Sequence, residues 1–217
     1  PDSGYANVGS EESAVGQARS AGVISLGDSG SITLYFPNPI VNQPGYDFAV
    51  FENAFNDSFL ELAHVEVSLD GVKFYRIPSE SLTPTQVQTP AFGSTKAEEI
   101  HNLAGKYRMP YGTPFDISDL DTTDSFFPTE FYWVRIQDVV GCINPRFGTT
   151  DSKGRIINDP WPTNFGGSGF DLDAVGVIHQ RDALSSRQIN RSDATTFWFV
   201  QNGLVHIHSI KGVDEFE

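Results

Sequence analysis

The stretch Ala63-His-Val-Glu-Val-Ser-Leu-Asp-Gly-Val-Lys-Phe-Tyr-Arg-Ile77 decides the fold class, because it has the pattern of a β-hairpin. Val65, Val67 and Leu69 alternate with polar residues, so a strand would place all three on one buried face. Asp70-Gly71 is the kind of dipeptide that forms tight turns with positive φ. Alternation resumes after this turn, and the stretch therefore predicts two antiparallel strands.

The same period-two alternation recurs along the chain, whereas helical periodicity is scarce. Gln201-Asn202-Gly203 predicts a second hairpin, and only Lys96–Leu103 and Gly9–Arg19 suggest short helices. About eight strands separated by turn signals predict an all-β fold, a β-sandwich of jelly-roll type with long functional loops. The predicted strands are Ser31–Phe36, Tyr46–Glu52, Ala63–Leu69, Lys73–Ile77, Phe131–Asp138, Asp173–His179, Thr196–Val200 and Leu204–Ile210.

The spacing of these strands favours one domain with long connections. We interpret residues 1–217 as a single β-sandwich domain, with its core over residues 22–178 and a C-terminal hairpin extension over residues 180–217. Residues 79–111, 116–129 and 141–169 are longer than ordinary β connections, and such loops are usually functional or disordered. Their aromatic content favours ordered loops, which we expect to pack at one end of the sandwich.

Composition excludes several classes of protein. The chain has 217 residues, with 14 Lys and Arg against 28 Asp and Glu and a formal net charge of −14. Phosphate neutralisation needs clustered Lys and Arg, so nucleic acid and anionic membrane surfaces are not expected partners. The single cysteine, Cys142, excludes an intrachain disulfide, and no apolar run approaches the ~20 residues of a membrane span. No signal-peptide pattern is present, and a chain that starts at Pro1 is expected to be a processed product.

Several strings of the sequence together resemble a known family. They are similar to the core strands of a bacterial secreted "cell surface protein" family whose domains are galactose-binding-like jelly rolls. The resemblance covers residues 22–178, most of the chain. The strings are Tyr46-Asp-Phe-Ala-Val-Phe-Glu-Asn53, Val65-Glu-Val-Ser-Leu-Asp-Gly71, Asn102-Leu-Ala-Gly-Lys-Tyr107, Gly112-Thr-Pro-Phe-Asp116, Trp133-Val-Arg-Ile-Gln-Asp138, Asp159-Pro-Trp-Pro-Thr-Asn-Phe165 and Gly169-Phe-Asp-Leu-Asp-Ala-Val-Gly-Val177.

The resemblance implies an exported, surface-displayed, non-enzymatic binding protein. Members are often lipoproteins of gut Bacteroidetes, anchored to the outer membrane through a lipid-bearing Cys that would lie upstream of this sequence. They resemble companions of outer-membrane TonB-dependent transporters, and some such proteins capture cobalamin and related corrinoids. Jelly-roll relatives more commonly bind glycans. Corrinoid capture is therefore the leading expectation, and a calcium-dependent carbohydrate-binding module or a structural adhesion domain is the alternative.

Carboxylates at strand ends suggest a structural Ca²⁺, an ion that such jelly rolls often hold. Asp171 and Asp173 lie two residues apart, so a strand would project both from one face. Glu52 ends another apolar run, and Ca²⁺ takes six to eight oxygen ligands. We expect Glu52, Asp173 and Asp171 as ligands, with Asp151 to Asp159 as a weaker candidate. The alternative is that Asp171 caps a turn and Glu52 binds backbone amides.

Aromatic residues in the long loops suggest a ligand site. Trp161 lies between two prolines, which restrict its backbone and make it a low-entropy stacking platform. Asn164 can donate and accept hydrogen bonds beside it. We expect the ligand-binding residues to be Trp161, Asn164, Phe165, Tyr107, Tyr111 and Phe115. The alternative is that these aromatic residues pack a satellite core beneath the loops.

Motifs for catalysis mostly fail. Gly166-Gly-Ser-Gly169 lacks the second glycine and the helix of a nucleophile elbow, and Cys142 is expected to be a buried apolar residue. Asp116, Asp119 and Asp121 could form a glycosidase carboxylate pair, but pairs arise freely in so acidic a chain. His206 and His208 would share a strand face and could chelate a metal, although an ordinary polar strand face is favoured. We therefore expect no enzymatic activity.

Overall fold

The computed structural model describes residues 5–120, 123 and 127–181, together with the backbone of two strands near the C-terminus. These residues confirm the all-β fold. Helix is limited to the short 3-10 turns Glu11–Ala14, Ala97–Glu99 and Ile117–Asp119 in the part of the chain described. The strands are β1 (Ile24–Ser25), β2 (Ser31–Val41), β3 (Phe48–Glu52), β4 (Ala63–Ser68), β5 (Phe74–Arg76), β6 (Glu80–Ser81), β7 (Ile100–His101), β8 (Thr113–Phe115), β9 (Glu130–Asp138), β10 (Asp171–Val177), β11 (Thr195–Gln201) and β12 (Leu204–Ile210).

Two large antiparallel sheets contain most of these strands. One has the order β12-β11-β2-β9-β4-β5 and the other the order β1-β10-β3-β8, while β6 and β7 form a separate pair. Both predicted hairpins are confirmed, β4 with β5 and β11 with β12. Strand β11 also pairs with β2, so the C-terminal hairpin extends the six-stranded sheet. The jelly-roll connection pattern stays a prediction.

Apolar side chains from both sheets meet in one core, which makes the fold a sandwich. Val65 and Val67 face this core, as their alternation predicted, but Leu69 follows the end of β4 and is 42 % exposed, so the prediction is wrong for that residue. The four largest fully buried side chains are phenylalanines. A second, smaller cluster lies beneath the long loops and is aliphatic. The phenylalanines are Phe48, Phe115, Phe131 and Phe170. The second cluster contains Ala54, Leu60, Leu62, Ile100, Leu103, Val139 and Ile157.

The two expected helices are wrong. Residues 97–99 form one 3-10 turn without a capping side chain, and the chain then pairs as β7 with β6. Ile100 and Leu103 are needed in the second core cluster, so packing overrides the local preference. Between Gly9 and Arg19, the helical stretch is limited to Glu11–Ala14, because Gly9, Gly16 and Arg19 adopt positive φ values that a right-handed helix does not contain.

Strand β4 is buried on both faces, whereas alternation predicted one. His64, Glu66 and Ser68 point away from the sandwich core and are nevertheless buried. Glu66 is shielded by the side chains of Arg76 and Arg135, which donate to its carboxylate. His64 lies opposite the segment that begins at Ser79, whose hydroxyl is 3.4 Å from its Nδ1 atom. Burial lowers the pKa of His64 to about 4, so this side chain is neutral and structural.

Candidate functional site

The loops that follow β3, β6 and β9 join at one end of the sandwich, as predicted for residues 79–111 and 141–169. The prediction is wrong for the third stretch, because residues 116–120 lie at the opposite end, where Phe115 pairs with Phe48 and Ile117 donates its N–H to Asp47. Trp161 donates its backbone N–H to Thr89 across 3.1 Å. The Gln88 side chain donates to the carbonyl of Gly141 at 2.9 Å and accepts from the N–H of Ile143 at 2.9 Å. One amide thus satisfies backbone groups of a second loop. The two longest connections are therefore held against each other by hydrogen bonds.

These loops carry a row of stacked rings, here called the phenylalanine ladder, formed by Phe55, Phe59, Phe92 and Phe165. Successive ring centroids are 5.4, 6.1 and 5.5 Å apart, and the planes are inclined by 22°, 24° and 18°. Phe55 is 70 % exposed and Phe92 is 76 % exposed. The ladder spans three loops and presents apolar surface to solvent. Contiguous exposed apolar surface of this kind marks interaction sites.

The ladder contains one of the six predicted ligand residues. Phe165 is its fourth ring, Asn164 beside it is exposed, and Trp161 is half-buried in the same loop. The sequence reasoning missed Phe55, Phe59 and Phe92. A signal was available in Phe55-Asn-Asp-Ser-Phe59, a polar loop with two large apolar residues that no strand pattern explains.

The other predicted aromatic residues divide into two groups. Tyr107 and Tyr111 are exposed in a loop tied to the ladder, since Met109 donates its N–H to the carbonyl of Ala54 at 2.8 Å. Phe115 instead lies on β8, fully buried and stacked on Phe48 at 5.5 Å. It faces the core because Thr113–Phe115 pairs with β3. Phe115 is therefore a core residue and does not form a wall of the loop site.

Five buried carboxyl groups lie at the base of the same loops. This acidic cluster consists of Glu52, Glu61, Asp138, Asp159 and Asp171, each at most 8 % exposed. The end of β3, the start of β4, the end of β9 and the start of β10 lie at one end of the sandwich, because Ala63 pairs with Asp138 and Leu172 pairs with Glu52. The cluster thus lies where the loops of the ladder leave the two sheets.

Four of the five carboxyls accept hydrogen bonds. Glu52 accepts from the N–H of Ala54 at 2.8 Å, and Asp171 from the hydroxyl of Ser25. The N–H donors to the others are Phe170 at 2.7 Å and Ser29 at 3.0 Å for Asp138, and Leu62 at 3.0 Å for Asp159.

The fifth member, Glu61, differs from the rest. It is 7 % exposed, and its carboxyl has no hydrogen-bond partner among the residues that the structure describes. Burial raises its pKa to about 10, reinforced by the charges of Asp171, Glu52, Asp159 and Asp138. Burial also raises the pKa of the other four members, and neighbouring carboxylates add to this effect for Glu52, Asp138 and Asp159. No Lys, Arg or His of the described residues forms an ion pair with any of the five. Such a cluster needs bound protons or a cation to offset the cost of burial.

Two of the three predicted metal ligands belong to the acidic cluster and one does not. Glu52 and Asp171 are members, whereas both carboxylate oxygens of Asp173 accept the N–H of Arg19, at 2.9 and 3.0 Å. A register shift between Leu172 and Ala174 marks a β-bulge, which breaks the alternation that would have placed Asp171 and Asp173 on one face. Asp173 therefore fastens the N-terminal segment to β10.

The weaker candidate near Asp151 is already occupied by protein groups. The Asp151 carboxylate is 2.6 Å from the Arg155 guanidinium and accepts N–H bonds from Ser81, Lys153 and Arg155. Burial raises its pKa, but these hydrogen bonds outweigh burial and the net direction is downward. Asp151 is therefore a structural residue. Glu61 and Asp138 were absent from the sequence-based candidates.

The oxygen atoms of the acidic cluster are suitable ligands for a hard cation, but the carboxyl groups are not all close enough to bind one ion together. All the available ligands are oxygens, as Ca²⁺ prefers, and the Glu61 carboxyl is free to bind. Among the described residues, no three His, Cys, Asp or Glu side chains are grouped closely enough to hold one ion. Ca²⁺ at this position would therefore take one or two of these carboxylates together with backbone carbonyls and water.

The residues considered for catalysis have structural contacts where they are described. Asp116 accepts the N–H of Ser118 at 2.8 Å, and Asp119 accepts the side-chain amide of Asn102 at 2.9 Å. Cys142 is buried, as predicted. Asp121 and the side chains of His206 and His208 lie outside the described residues.

Comparisons with protein-family models, with curated proteins and with solved structures gave no match to this chain. Within the described ranges, the chain contains no helix with the length and apolar character needed to cross a membrane.

Proposed function

We propose that this chain is a non-enzymatic binding protein of a bacterial cell surface, which captures a soluble ligand on the phenylalanine ladder. The exposed, stacked rings carry the proposal. A solvent-facing apolar row on ordered loops is costly in a soluble protein unless a ligand covers it. Capture of a ligand requires neither a nucleophile nor an acid–base pair.

The leading ligand is a corrinoid of the cobalamin type. A corrin ring has a broad apolar face fringed by amides, and the ladder offers a row of rings with the exposed amide of Asn164 beside Phe165. Tyr107 and Tyr111, exposed on the adjoining loop, could contact the same ligand. The resemblance to the cell surface protein family points in the same direction. It also supports a lipid anchor in the outer membrane and delivery to a TonB-dependent transporter.

The proposal includes Ca²⁺ at the acidic cluster, held by Glu61 with Glu52 or Asp171. A bound Ca²⁺ supplies positive charge that offsets the repulsion among the five buried carboxyls. Glu52 and Glu61 lie at the two ends of the loop that carries Phe55 and Phe59, and Asp159 begins the segment that carries Phe165. A cation that fixes these loop ends would also fix the positions of the ladder rings, which lowers the entropy lost when a ligand binds.

The test is isothermal titration calorimetry with cyanocobalamin on the wild type and three variants. Phe92→Ala and Phe165→Ala remove rings of the ladder, and each is expected to weaken binding by about tenfold or more. Tyr46→Ala is the matched control, because Tyr46 is 57 % exposed and precedes β3 at the opposite end of that strand. Equal affinity of all four proteins would contradict the site, and glycan binding that Phe92→Ala and Phe165→Ala both weaken would assign the ladder to the carbohydrate alternative.

A further inference from the structure

A second surface, on the outward face of the six-stranded sheet, has the chemistry of a separate binding site. It is an open groove of about 660 Å³ over β2, β9, β4 and β5. Its main lining residues are Thr33, Glu66, Arg76, Trp133, Arg135 and Gln137. None of them belongs to the loops of the ladder or to the acidic cluster.

Strand register places the polar residues of the groove in one line. Thr33 pairs with Arg135, Arg135 with Glu66, and Glu66 with Arg76, so the four residues cross four adjacent strands. The Glu66 carboxylate, 9 % exposed, accepts from Arg76 Nε at 2.9 Å and from Arg135 Nη1 at 3.2 Å. Arg76 also donates to the Gln137 side chain at 2.6 Å. Donors and acceptors therefore alternate along a line whose side chains are already held in place.

An aromatic platform lies beside this polar line. Trp133 pairs with Tyr35 on one side, and their ring centroids are 4.8 Å apart. On the other side the indole lies against Gly71, where a Cβ atom would be 3.0 Å from the ring. Glycine at the hairpin turn therefore makes room for the indole. The Arg135 guanidinium stacks on Phe74 at 3.5 Å, which fixes the donor next to the platform.

We propose that this groove binds a neutral glycan. The apolar C–H face of a pyranose ring would pack against the part of the half-buried Trp133 indole that lines the groove. Vicinal hydroxyls, which both donate and accept, would match the alternating arginine, glutamate and glutamine groups. An acidic glycan fits less well, because Glu66 lies between the two guanidinium groups and neutralises part of their charge. The chain also carries a formal net charge of −14, which disfavours an anionic ligand.

The test begins with the labelled wild-type chain on an array that carries neutral and acidic glycans. The neutral glycans that bind are then titrated with Trp133→Ala, Gln137→Ala and Phe92→Ala, each first compared with the wild type by circular dichroism. We expect Trp133→Ala and Gln137→Ala to weaken binding by about tenfold and Phe92→Ala to leave it unchanged. Gln137→Ala keeps the test decisive if the Trp133 variant does not fold.

Four outcomes would overturn the proposal. They are no binding to any neutral glycan on the array, binding to acidic glycans alone, unchanged affinity in Gln137→Ala, and loss of glycan binding in Phe92→Ala. The last outcome would assign glycan binding to the ladder instead. Failure of cyanocobalamin to bind would leave this proposal untouched, since the two sites share no residue.

Discussion

The rings of Phe92 and Phe165 stack with their centroids 5.5 Å apart and their planes inclined by 18°. Phe92 belongs to the connection after β6, and Phe165 to the connection between β9 and β10. This ring contact joins the two long loops at the surface. The same loops are also joined by the hydrogen bond from the Trp161 N–H to the Thr89 carbonyl. It completes a ladder of four rings whose supporting loops leave the sheets beside five buried carboxyls.

Calcium should stabilise the protein through the acidic cluster. At a Ca²⁺ concentration 100 times its Kd, the gain is about 2.7 kcal/mol. For a chain of this size that corresponds to a rise of about 5–10 °C in Tm. Differential scanning fluorimetry with CaCl₂ and with a chelator measures the difference. Glu61→Gln should lose most of the rise, and a wild type with equal Tm in both buffers would exclude a structural Ca²⁺.

Asp173 provides the control that separates a metal ligand from a structural carboxylate. Asp173→Asn should lower the Tm, because the backbone N–H of Arg19 loses a charged acceptor, at a cost of about 1–3 kcal/mol. It should nevertheless keep the full calcium-dependent rise. Loss of that rise in Asp173→Asn, with retention in Glu61→Gln, would restore the sequence-based ligand set and contradict the arrangement described above.

Without Ca²⁺, stability should fall as pH rises. The folded-state pKa of Glu61 is raised from 4.5 to about 10, so its neutral form is favoured in the folded protein. Its stabilising contribution is complete below pH 4.5 and is lost as pH rises towards 10. Urea unfolding in chelator at pH 6 and at pH 9 should show a smaller free energy of unfolding at pH 9.

The same pair of measurements on Glu61→Gln isolates this group. A neutral amide cannot ionise, so the difference between the two pH values should shrink in the variant. If the variant and the wild type lose the same free energy of unfolding between pH 6 and pH 9, Glu61 is not the titrating group.

The Asp151–Arg155 ion pair should contribute strongly to stability. The Asp151 side chain is fully buried and accepts N–H bonds from Ser81, Lys153 and Arg155. Asp151→Ala leaves these backbone donors unsatisfied, and we expect a loss of about 1–3 kcal/mol in urea unfolding. Glu80→Ala removes a carboxylate that pairs with Arg155 and Lys153 at the surface, where water screens the charges, so its cost should be much smaller. Similar costs for both variants would contradict this difference.

The strands were predictable because their signal is local. Alternation over a few residues reports burial on one face, and all eight predicted strands are present, with ends within two residues except that β2 continues five residues beyond Phe36. The two- and three-residue strands β1, β6, β7 and β8 are too short for such alternation and were not predicted. The two helices expected from the sequence are instead short 3-10 turns. Ile100 and Leu103 pack in the second core cluster, and residues 9–19 contain positions with positive φ. Nothing in their local sequence reports that packing.

The candidate site was only partly predictable for the same reason. Glu61, Asp138 and Asp159 are brought together with Glu52 and Asp171 by strand pairing and loop closure, and no spacing in the sequence relates them. The bulge that separates Asp171 from Asp173 depends on the partner strand β3. Phe165 was predicted because it lies in the loop that the prolines around Trp161 mark. Phe55 and Phe59 carry a different signal, two large apolar residues in a polar loop, and Phe92 lies in a third loop with neither pattern.

The decisive measurement is calorimetric titration of the wild-type chain with cyanocobalamin, first in CaCl₂ and then in excess chelator. We expect one-to-one binding in CaCl₂ and clearly weaker binding after chelation, because the acidic cluster beneath the ladder loops loses its cation. The absence of heat in CaCl₂ would contradict corrinoid capture. Equal affinity for cyanocobalamin in both buffers would show that ligand binding does not depend on a cation in the acidic cluster.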